Sequence, residues 1–287
     1  MGQHDGFGKG ITYVDGKWVE GNAPLMGSMT HAVWLSSVVF DGARAIRGMA
    51  PDLDRHCARC IDSALKFGLA PPVTAEEIFE LAWEGIGKFP ADAVLYVRPM
   101  MFAEDGFVAP IPESTRFALV ITDSPMPDRG GFTACMSSYR RPTADAAPTD
   151  AKASCLYPNS ARALREAAGR GFDNAVVCDL LGNVAEFATA NLYCAKDGIA
   201  YTPVTNGTFL NGITRQRVMK LLREAGTEVV EQTITVADLK DADEIFSSGN
   251  YAKVSSVTKL EDRDLQPGPV AKKAFELYME FAETARR

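Results

Sequence analysis

Several features that define large classes of proteins are missing from this 287-residue sequence. No apolar run reaches the ~18 to 20 residues of a membrane-spanning helix, and the first residues lack the charged and apolar regions of a signal peptide. Acidic side chains outnumber basic ones by 37 to 30, and a net charge of −7 disfavours a nucleic-acid-binding protein, which needs clustered Lys and Arg. No Gly-x-Gly-x-x-Gly or Walker loop is present to bind a nucleotide. We therefore expect a cytoplasmic protein with neither a membrane nor a nucleic acid as partner.

A Cys-x-x-Cys pair, Cys57 and Cys60, is found among six otherwise scattered cysteines. Such a pair can hold a metal or perform redox chemistry, but no second pair follows it here. The pair also lies in an amphipathic helical pattern. We predict helix thiols in a reducing compartment and no metal site.

Strand and helix signals alternate in the first part of the chain. Asp15-Gly16 lies between alternating apolar residues and predicts a β-hairpin, because both turn positions need a positive φ. A helical pattern covers residues 53–69, and Thr74-Ala-Glu-Glu77 is the capping box of a second helix. Two strands rich in Val, Tyr and Phe follow. These signals predict a small α/β domain over residues 1–122.

A stretch rich in Pro and Gly, residues 123–131, has the composition of an interdomain linker. Beyond it, strand signals again alternate with helical ones. One helix is predicted after Asn159-Ser160 and another begins at Ile213. We predict a larger domain over residues 132–287, and hence a mixed α+β fold of two domains.

Three side chains beyond the linker have the chemistry that pyridoxal phosphate requires. Lys152 has apolar neighbours, and desolvation favours the free amine that attacks an aldehyde. Tyr157 supplies a phenol that can hydrogen-bond an aromatic oxygen. Glu186, in an apolar strand pattern, supplies a carboxylate that can keep a ring nitrogen protonated. The ordinary alternatives are a solvated lysine, a core tyrosine and a solvated glutamate on a strand face.

Six ordered segments between Val14 and Val257 resemble the fold-type IV pyridoxal-phosphate enzymes, most closely the branched-chain amino-acid aminotransferases. One of them, Val39-Phe-Asp-Gly-Ala-Arg44 with His31 upstream, is similar to the family's Phe-Glu-Gly-Ile-Arg strand. The remaining segments are Asp54–Ser63, Tyr96-Val-Arg98, Lys152–Tyr157 with Glu186, Gly212–Arg215 and Ser247–Tyr251. The resemblance implies a small α/β N-terminal domain and a larger β-barrel-like C-terminal domain with flanking helices.

Cofactor contacts follow from the same resemblance. It implies that Lys152 forms the internal aldimine and then moves the proton between Cα and C4′, that Tyr157 holds the 3′-oxygen, and that Glu186 holds the ring nitrogen. The residues implied for the phosphate are Arg59, Ile213, Thr214 and Asn250. Asn250 stands where the family usually has a threonine or serine.

Substrate contacts are also implied by the resemblance. Tyr96 and Arg98 match residues that meet the substrate carboxylate, together with backbone amides of the Asn250-Tyr251 turn; for Arg98 a structural ion pair is the alternative. Phe40 and Gly42 match residues that line the side-chain pocket. The sequence departs from the family at Leu35-Ser36, where a Tyr-Gly pair is common. His31 and His56 are expected to satisfy local hydrogen bonds.

The activity implied is ping-pong transfer of an amino group from branched-chain L-amino acids to 2-oxoglutarate. A D-amino-acid or (R)-amine transaminase and an aminodeoxychorismate-lyase-like enzyme are alternatives of the same fold. A catalytically silent pyridoxal-phosphate-binding protein is the alternative from another class. The resemblance further implies a homodimer or higher oligomer, in which a loop at about residues 105–112 completes the partner's pocket.

Overall fold

A computed structural model describes residues 9–287, which divide into two compact units. Unit 1 consists of the described residues up to Met126, together with Ala151–Cys155 and Ala282–Arg287. Unit 2 consists of Pro127–Asp150 and Leu156–Phe281.

This division corrects the sequential one expected from the sequence, in which everything beyond residue 131 forms the second domain. The chain changes unit after Met126, within the expected linker, but it returns to unit 1 at residues 151–155 and 282–287. Backbone pairing explains both returns, since Ala153 forms a bridge with Val39 and the Ala50 N–H donates to Ala285 O at 2.9 Å. A linear sequence shows no sign of such pairing.

Unit 1 is a six-stranded sheet covered by helices. Its elements are β1 (Gly10–Val14), β2 (Lys17–Glu20), α1 (His31–Leu35), β3 (Val38–Phe40), β4 (Ala43–Ile46), α2 (Leu53–Lys66), α3 (Ala75–Ile86), β5 (Val94–Ala103) and β6 (Thr115–Asp123). The strand order is β2-β1-β6-β5-β3, with β4 also paired to β5, and all pairs are antiparallel. Helices α2 and α3 pack against each other and on β5, where they bury the apolar core of this unit.

Local signals in this unit are confirmed. Asp15 and Gly16 have φ of 50° and 79°, as the hairpin turn requires. Thr74 and Glu77 form the predicted capping box at the start of α3. Helix α2 ends at Lys66, three residues before the predicted end, because Gly68 takes a left-handed φ of 75° and turns the chain away.

Unit 2 contains a nine-stranded sheet. Its elements are β7 (Phe132–Arg140), α4 (Tyr157–Gly169), β8 (Asn174–Cys178), β9 (Val184–Phe187), β10 (Asn191–Lys196), β11 (Ile199–Pro203), α5 (Ile213–Glu224), β12 (Val229–Gln232), α6 (Val236–Asp241), β13 (Glu244–Gly249), β14 (Lys253–Leu260), β15 (Arg263–Asp264) and α7 (Pro269–Glu283), whose last two residues belong to unit 1. Helix α4 begins two residues before Asn159, because Pro158 is accommodated in the first turn of a helix.

The larger sheet is curled. Its strand order is β12-β11-β10-β13-β14-β7-β8-β9, yet β9, at one end of this order, also packs against β10 and β11 near the other end. This curling and the flanking helices confirm the predicted mixed fold with a barrel-like larger sheet. Within residues 9–287, no helix is long and apolar enough to cross a membrane.

Candidate active site

The candidate residues divide equally between the two units. Unit 1 holds Phe40, Gly42, Arg59, Tyr96, Arg98 and Lys152. Unit 2 holds Tyr157, Glu186, Ile213, Thr214, Asn250 and Tyr251.

Lys152 is held along the edge of β3. Its carbonyl accepts a hydrogen bond from the Phe40 N–H at 3.1 Å, and its own N–H donates to Ser63 Oγ at 3.1 Å. Both neighbours, Ala151 and Ala153, are buried, as the apolar flank predicts. The Nζ atom lies 5.0 Å from the centre of the Phe40 ring. The amine therefore lies beside an apolar surface, on a backbone fixed from two sides.

One face of β5 and its neighbours presents the other substrate candidates. Tyr96 and Arg98 alternate with the buried Leu95 and Val97, so both side chains project from the face opposite the core. Phe40 shares that face, because it pairs with Met100 across β3 and β5. Aromatic, cationic and apolar side chains are thus brought together by strand register.

Gly42 is the close neighbour of Tyr96. A Cβ built on Gly42 would lie 2.0 Å from Tyr96 Oη, so no side chain fits there while the tyrosine keeps its position. Glycine at this point therefore makes room for the phenol.

Arg59 on α2 forms a bidentate ion pair with the buried carboxylate of Asp41. Its Nε donates to Asp41 Oδ2 at 2.6 Å and its Nη2 donates to Asp41 Oδ1 at 2.8 Å. His56 Nδ1 donates to the same Oδ1 at 2.6 Å. Burial by itself would raise the pKa of the Asp41 carboxyl, but the Arg59 and His56 charges and hydrogen bonds hold it well below its ordinary value. The bidentate pair fixes the plane of the guanidinium, which sequence reasoning did not foresee.

The histidines behave as expected from the sequence. His56 is bound to Asp41, and His31 Nδ1 lies 2.8 Å from Ser37 Oγ. Cys57 and Cys60 are buried in α2, and burial raises the pKa of the Cys57 thiol to about 12. No group of three or more His, Cys, Asp or Glu in the described part of the chain is arranged to hold a metal.

Glu186 in unit 2 is paired, as its position between the buried Ala185 and Phe187 requires. Arg141 Nε lies 3.3 Å from its Oε1, and Asn191 Nδ2 donates to its Oε2 at 3.3 Å. The Glu186 side chain retains 13% exposure, so it is held by both neighbours but is not fully buried. Sequence reasoning missed Arg141, which carries no motif signal.

Asn191 connects Glu186 to the start of α5. Its Nδ2 also donates to Leu210 O at 3.0 Å, and its Oδ1 accepts from the Gly212 N–H at 3.2 Å. A Cβ on Gly212 would lie 2.1 Å from that Oδ1, so glycine is required for this approach. In the sequence, only its position could have indicated this role, because Asn191 begins β10, the strand that follows the Glu186 strand β9.

The start of α5 and the turn between β13 and β14 offer hydrogen-bond donors to an anion. Gly212 caps α5 without a side-chain cap, and Ile213 and Thr214 form the first helical turn, where N–H groups and the helix dipole favour negative charge. In the turn, Asn250 Nδ2 is buried and has no hydrogen-bond partner among residues 9–287. Tyr251 beside it is exposed, as is Tyr157 at the first position of α4.

Comparisons with known proteins show which family this chain resembles. A family model described as class IV amino-transferase matches residues 38–260. A putative branched-chain-amino-acid aminotransferase of Methanocaldococcus jannaschii is 32% identical over 274 residues, which cover 93% of this chain and 94% of the relative. A crystal structure of an aminotransferase from Brucella abortus bound to the cofactor PLP is 51% identical, with a TM-score of 0.95 and coverage of 96% and 99%. The T.th. branched-chain amino acid aminotransferase, complexed with N-(5'-phosphopyridoxyl)-L-glutamate, is 29% identical, with a TM-score of 0.90 and coverage of 98% and 96%.

Proposed function

The chain belongs to the class IV aminotransferases, and from this premise we propose that it is a branched-chain amino-acid aminotransferase that passes the amino group of L-leucine, L-isoleucine or L-valine to 2-oxoglutarate in a ping-pong reaction. The observation that carries the proposal is the face of unit 1 that combines the apolar ring of Phe40 beside the Lys152 amine with Arg98 and Tyr96. An apolar side chain matches the Phe40 ring and a carboxylate matches Arg98 and Tyr96, while the Lys152 amine lies beside them. The T.th. complex supports glutamate, the product formed from 2-oxoglutarate, as the second amino acid.

The cofactor is pyridoxal phosphate, and the residues present fit it. Unit 2 offers the partly exposed side chain of Glu186, an uncapped helix start at Gly212 and a buried, unpartnered donor at Asn250 Nδ2. Pyridoxal phosphate supplies an aldehyde that a lysine amine can hold covalently, and a protonated ring that withdraws electrons from the substrate Cα.

Lys152 is the residue that we assign to proton transfer at the substrate Cα. Its backbone is fixed by Phe40 and Ser63, and its Nζ lies over an aromatic ring beside buried alanines. These contacts fix the backbone of the residue whose amine is to accept a proton from the substrate Cα and release it again.

Glu186 would hold a proton on the ring nitrogen. Arg141 and Asn191 engage one oxygen each at 3.3 Å, distances that leave the carboxylate able to accept a stronger bond. The Arg141 guanidinium lies beside the Glu186 carboxylate, and an ionised carboxylate is the partner that a pyridinium N–H needs. Tyr157 is assigned to the 3′-oxygen of the ring.

Arg59, Ile213 and Thr214 are assigned to the phosphate together with Asn250. The buried Asp41 holds the Nε and Nη2 side of the Arg59 guanidinium, so the direction of its Nη1 group is fixed before an anion arrives. A preorganised donor loses less entropy on binding than a mobile one.

Substrate selection is assigned to unit 1. Arg98 and Tyr96 provide charge-assisted and phenolic donors for the substrate carboxylate, with backbone amides and Tyr251 of the exposed turn in unit 2 as further contacts. Phe40 and Gly42 are assigned to the apolar pocket, where Gly42 sets the position of Tyr96.

A homodimer is part of the proposal, because unit 1 exposes an apolar patch. Val33, Trp34, Phe107, Val108 and Ile111 are each at least 49% exposed, and the Trp34 and Phe107 rings lie 6.0 Å apart. Contiguous exposed apolar surface of this kind marks an interaction site. The patch includes the loop at 105–112 that is expected to complete the partner's pocket.

Sedimentation of the Phe107→Asp variant tests the dimer. We expect this variant to sediment as a monomer with little activity, because a charge would be buried at the interface. Leu65→Asp is the matched control, since Leu65 is 60% exposed on α2 outside the patch and should leave the dimer intact. Fully active wild-type monomers at nanomolar concentration would contradict the proposal.

The substrate proposal is tested with a panel of donors at fixed 2-oxoglutarate. L-leucine, L-isoleucine and L-valine should have higher kcat/KM than D-alanine or 1-phenylethylamine. A preference for D-alanine or for the chiral amine would assign the chain to another activity of the same fold.

A further inference from the structure

A fully buried lysine lies directly behind the turn between β13 and β14. Lys253 is the first residue of β14, has 0% exposure and takes a left-handed φ of 62°. Its Nζ donates to Asn250 Oδ1 at 2.7 Å and lies 5.2 Å from the centre of the Tyr278 ring. The ring face stabilises an ammonium group. Burial of a lysine is costly, so its presence here calls for a function.

The lysine determines which way the Asn250 amide faces. An ammonium carries only donors, so the amide must present its oxygen to Lys253. The nitrogen branch of the amide then faces away from the lysine. Asn250 Nδ2 is buried and finds no acceptor within residues 9–287, and leaving such a donor unsatisfied costs about 1–3 kcal/mol. An acceptor supplied by a ligand would remove this cost.

The surroundings of the turn indicate that this ligand is an anion. Ser248 Oγ, two residues before Asn250, is another buried polar atom without a partner in the described chain. Ser248 pairs with Asn191 across β13 and β10, and Asn191 accepts from the N–H of Gly212 at the start of α5. Helix α5 also packs on β13. The orphaned donors therefore lie near the helix N-terminus that favours negative charge.

We propose that Lys253 is a positioning residue that orients the Asn250 amide so that Nδ2 donates to the phosphate of pyridoxal phosphate. The inference rests on the proposed assignment of Asn250 to the phosphate. It also accounts for an asparagine at the place where the family resemblance implies a threonine or serine hydroxyl. A hydroxyl can rotate to donate to an acceptor by itself, whereas an amide must be held with its nitrogen, and not its oxygen, towards the acceptor.

Cofactor affinity in a double-mutant cycle tests the proposal. Full-length apoprotein is titrated with pyridoxal 5'-phosphate, and separately with pyridoxal, which lacks the phosphate. We expect Lys253→Met to weaken pyridoxal 5'-phosphate about 5- to 50-fold, the range for one well-made hydrogen bond, and to leave pyridoxal unaffected. In an Asn250→Thr background, the same Lys253→Met change should have an effect smaller than about threefold, because a hydroxyl needs no orientation.

Matched variants separate positioning from simple structural support. Lys259→Met, on the same strand, should leave both affinities at wild-type values. If Lys253→Met weakens both ligands equally, or weakens pyridoxal 5'-phosphate equally in both backgrounds, then Lys253 does not act through the Asn250 amide and the proposal is overturned.

A further variant keeps the test decisive if Lys253→Met does not fold. Asn250→Asp retains an oxygen for Lys253 but replaces the outward donor with a second acceptor. It should weaken pyridoxal 5'-phosphate at least about tenfold and reduce competition by inorganic phosphate, and wild-type affinity would overturn the proposal. Failure of wild-type apoprotein to bind pyridoxal 5'-phosphate would instead refute the proposed function itself.

Discussion

The position of Tyr96 depends on the absence of a side chain at Gly42, and Gly42→Ala tests this dependence. The added methyl group would lie 2.0 Å from Tyr96 Oη, although real Cβ atoms essentially never approach a heavy atom within 3.0 Å. The phenol must therefore withdraw by at least 1.0 Å, from 2.0 to 3.0 Å. Because Tyr96 is only half-buried, its ring can move without disrupting the core, so the loss of stability should be about 1 kcal/mol. A displacement of this size in a substrate-positioning group lowers kcat/KM by roughly 10²-fold.

Steady-state kinetics with L-leucine and thermal unfolding measure the two effects. In a Tyr96→Ala background the obstructing phenol is gone, and Gly42→Ala should then change kcat/KM less than about twofold. Wild-type kcat/KM for Gly42→Ala alone would refute the reasoning. An equal loss in both backgrounds would show that the methyl group acts through something other than Tyr96.

The contacts of three other charged residues lead to further predictions. Glu186→Gln should retain pyridoxal phosphate but lower kcat about 10²-fold or more, whereas the exposed Glu228→Gln should change neither. Arg98→Ala should lower kcat/KM for donors with a carboxylate roughly 10- to 150-fold and leave a simple amine almost unaffected; equal losses would contradict its assignment. Because the pKa of Asp41 is lowered in the folded state, stability should fall as pH decreases below about 4, the ordinary carboxyl value. The free energy of unfolding, measured in urea, should therefore decrease less for Asp41→Asn than for wild type or Asp62→Asn as the pH is lowered.

Signals that depend on neighbouring residues in the chain were reliable. The Asp15-Gly16 hairpin and the Thr74 capping box require only positive φ or local hydrogen bonds, and the structure has both. The apolar flank of Lys152 likewise predicted buried neighbours. Such features are encoded within a few consecutive residues, so a sequence pattern is sufficient to identify them.

Contacts between distant segments could not be predicted in this way. Nothing in the sequence around Ala153 shows that it pairs with Val39, far earlier in the chain, and places Lys152 in unit 1. Similarly, no motif indicates that Arg141 reaches Glu186. These contacts result from strand order and register, which local patterns leave open.

The buried polar partners of the site form the other group that sequence reasoning missed. In the sequence, Asp41 stands only where the family's Phe-Glu-Gly-Ile-Arg strand has its glutamate, yet it holds Arg59 with two hydrogen bonds. Lys253 gave no signal at all, because lysines are almost always exposed and this one is completely buried. Side chains that orient other side chains have no sequence pattern of their own.

Covalent mapping of the cofactor tests the central assignment most directly. Borohydride reduction of the purified enzyme fixes pyridoxal phosphate on the lysine that holds it, and mass spectrometry of the digest identifies that lysine. We predict label on the peptide that contains Lys152 and none in Lys152→Ala. Label on any other lysine of the wild-type enzyme, or no label at all, would contradict the account.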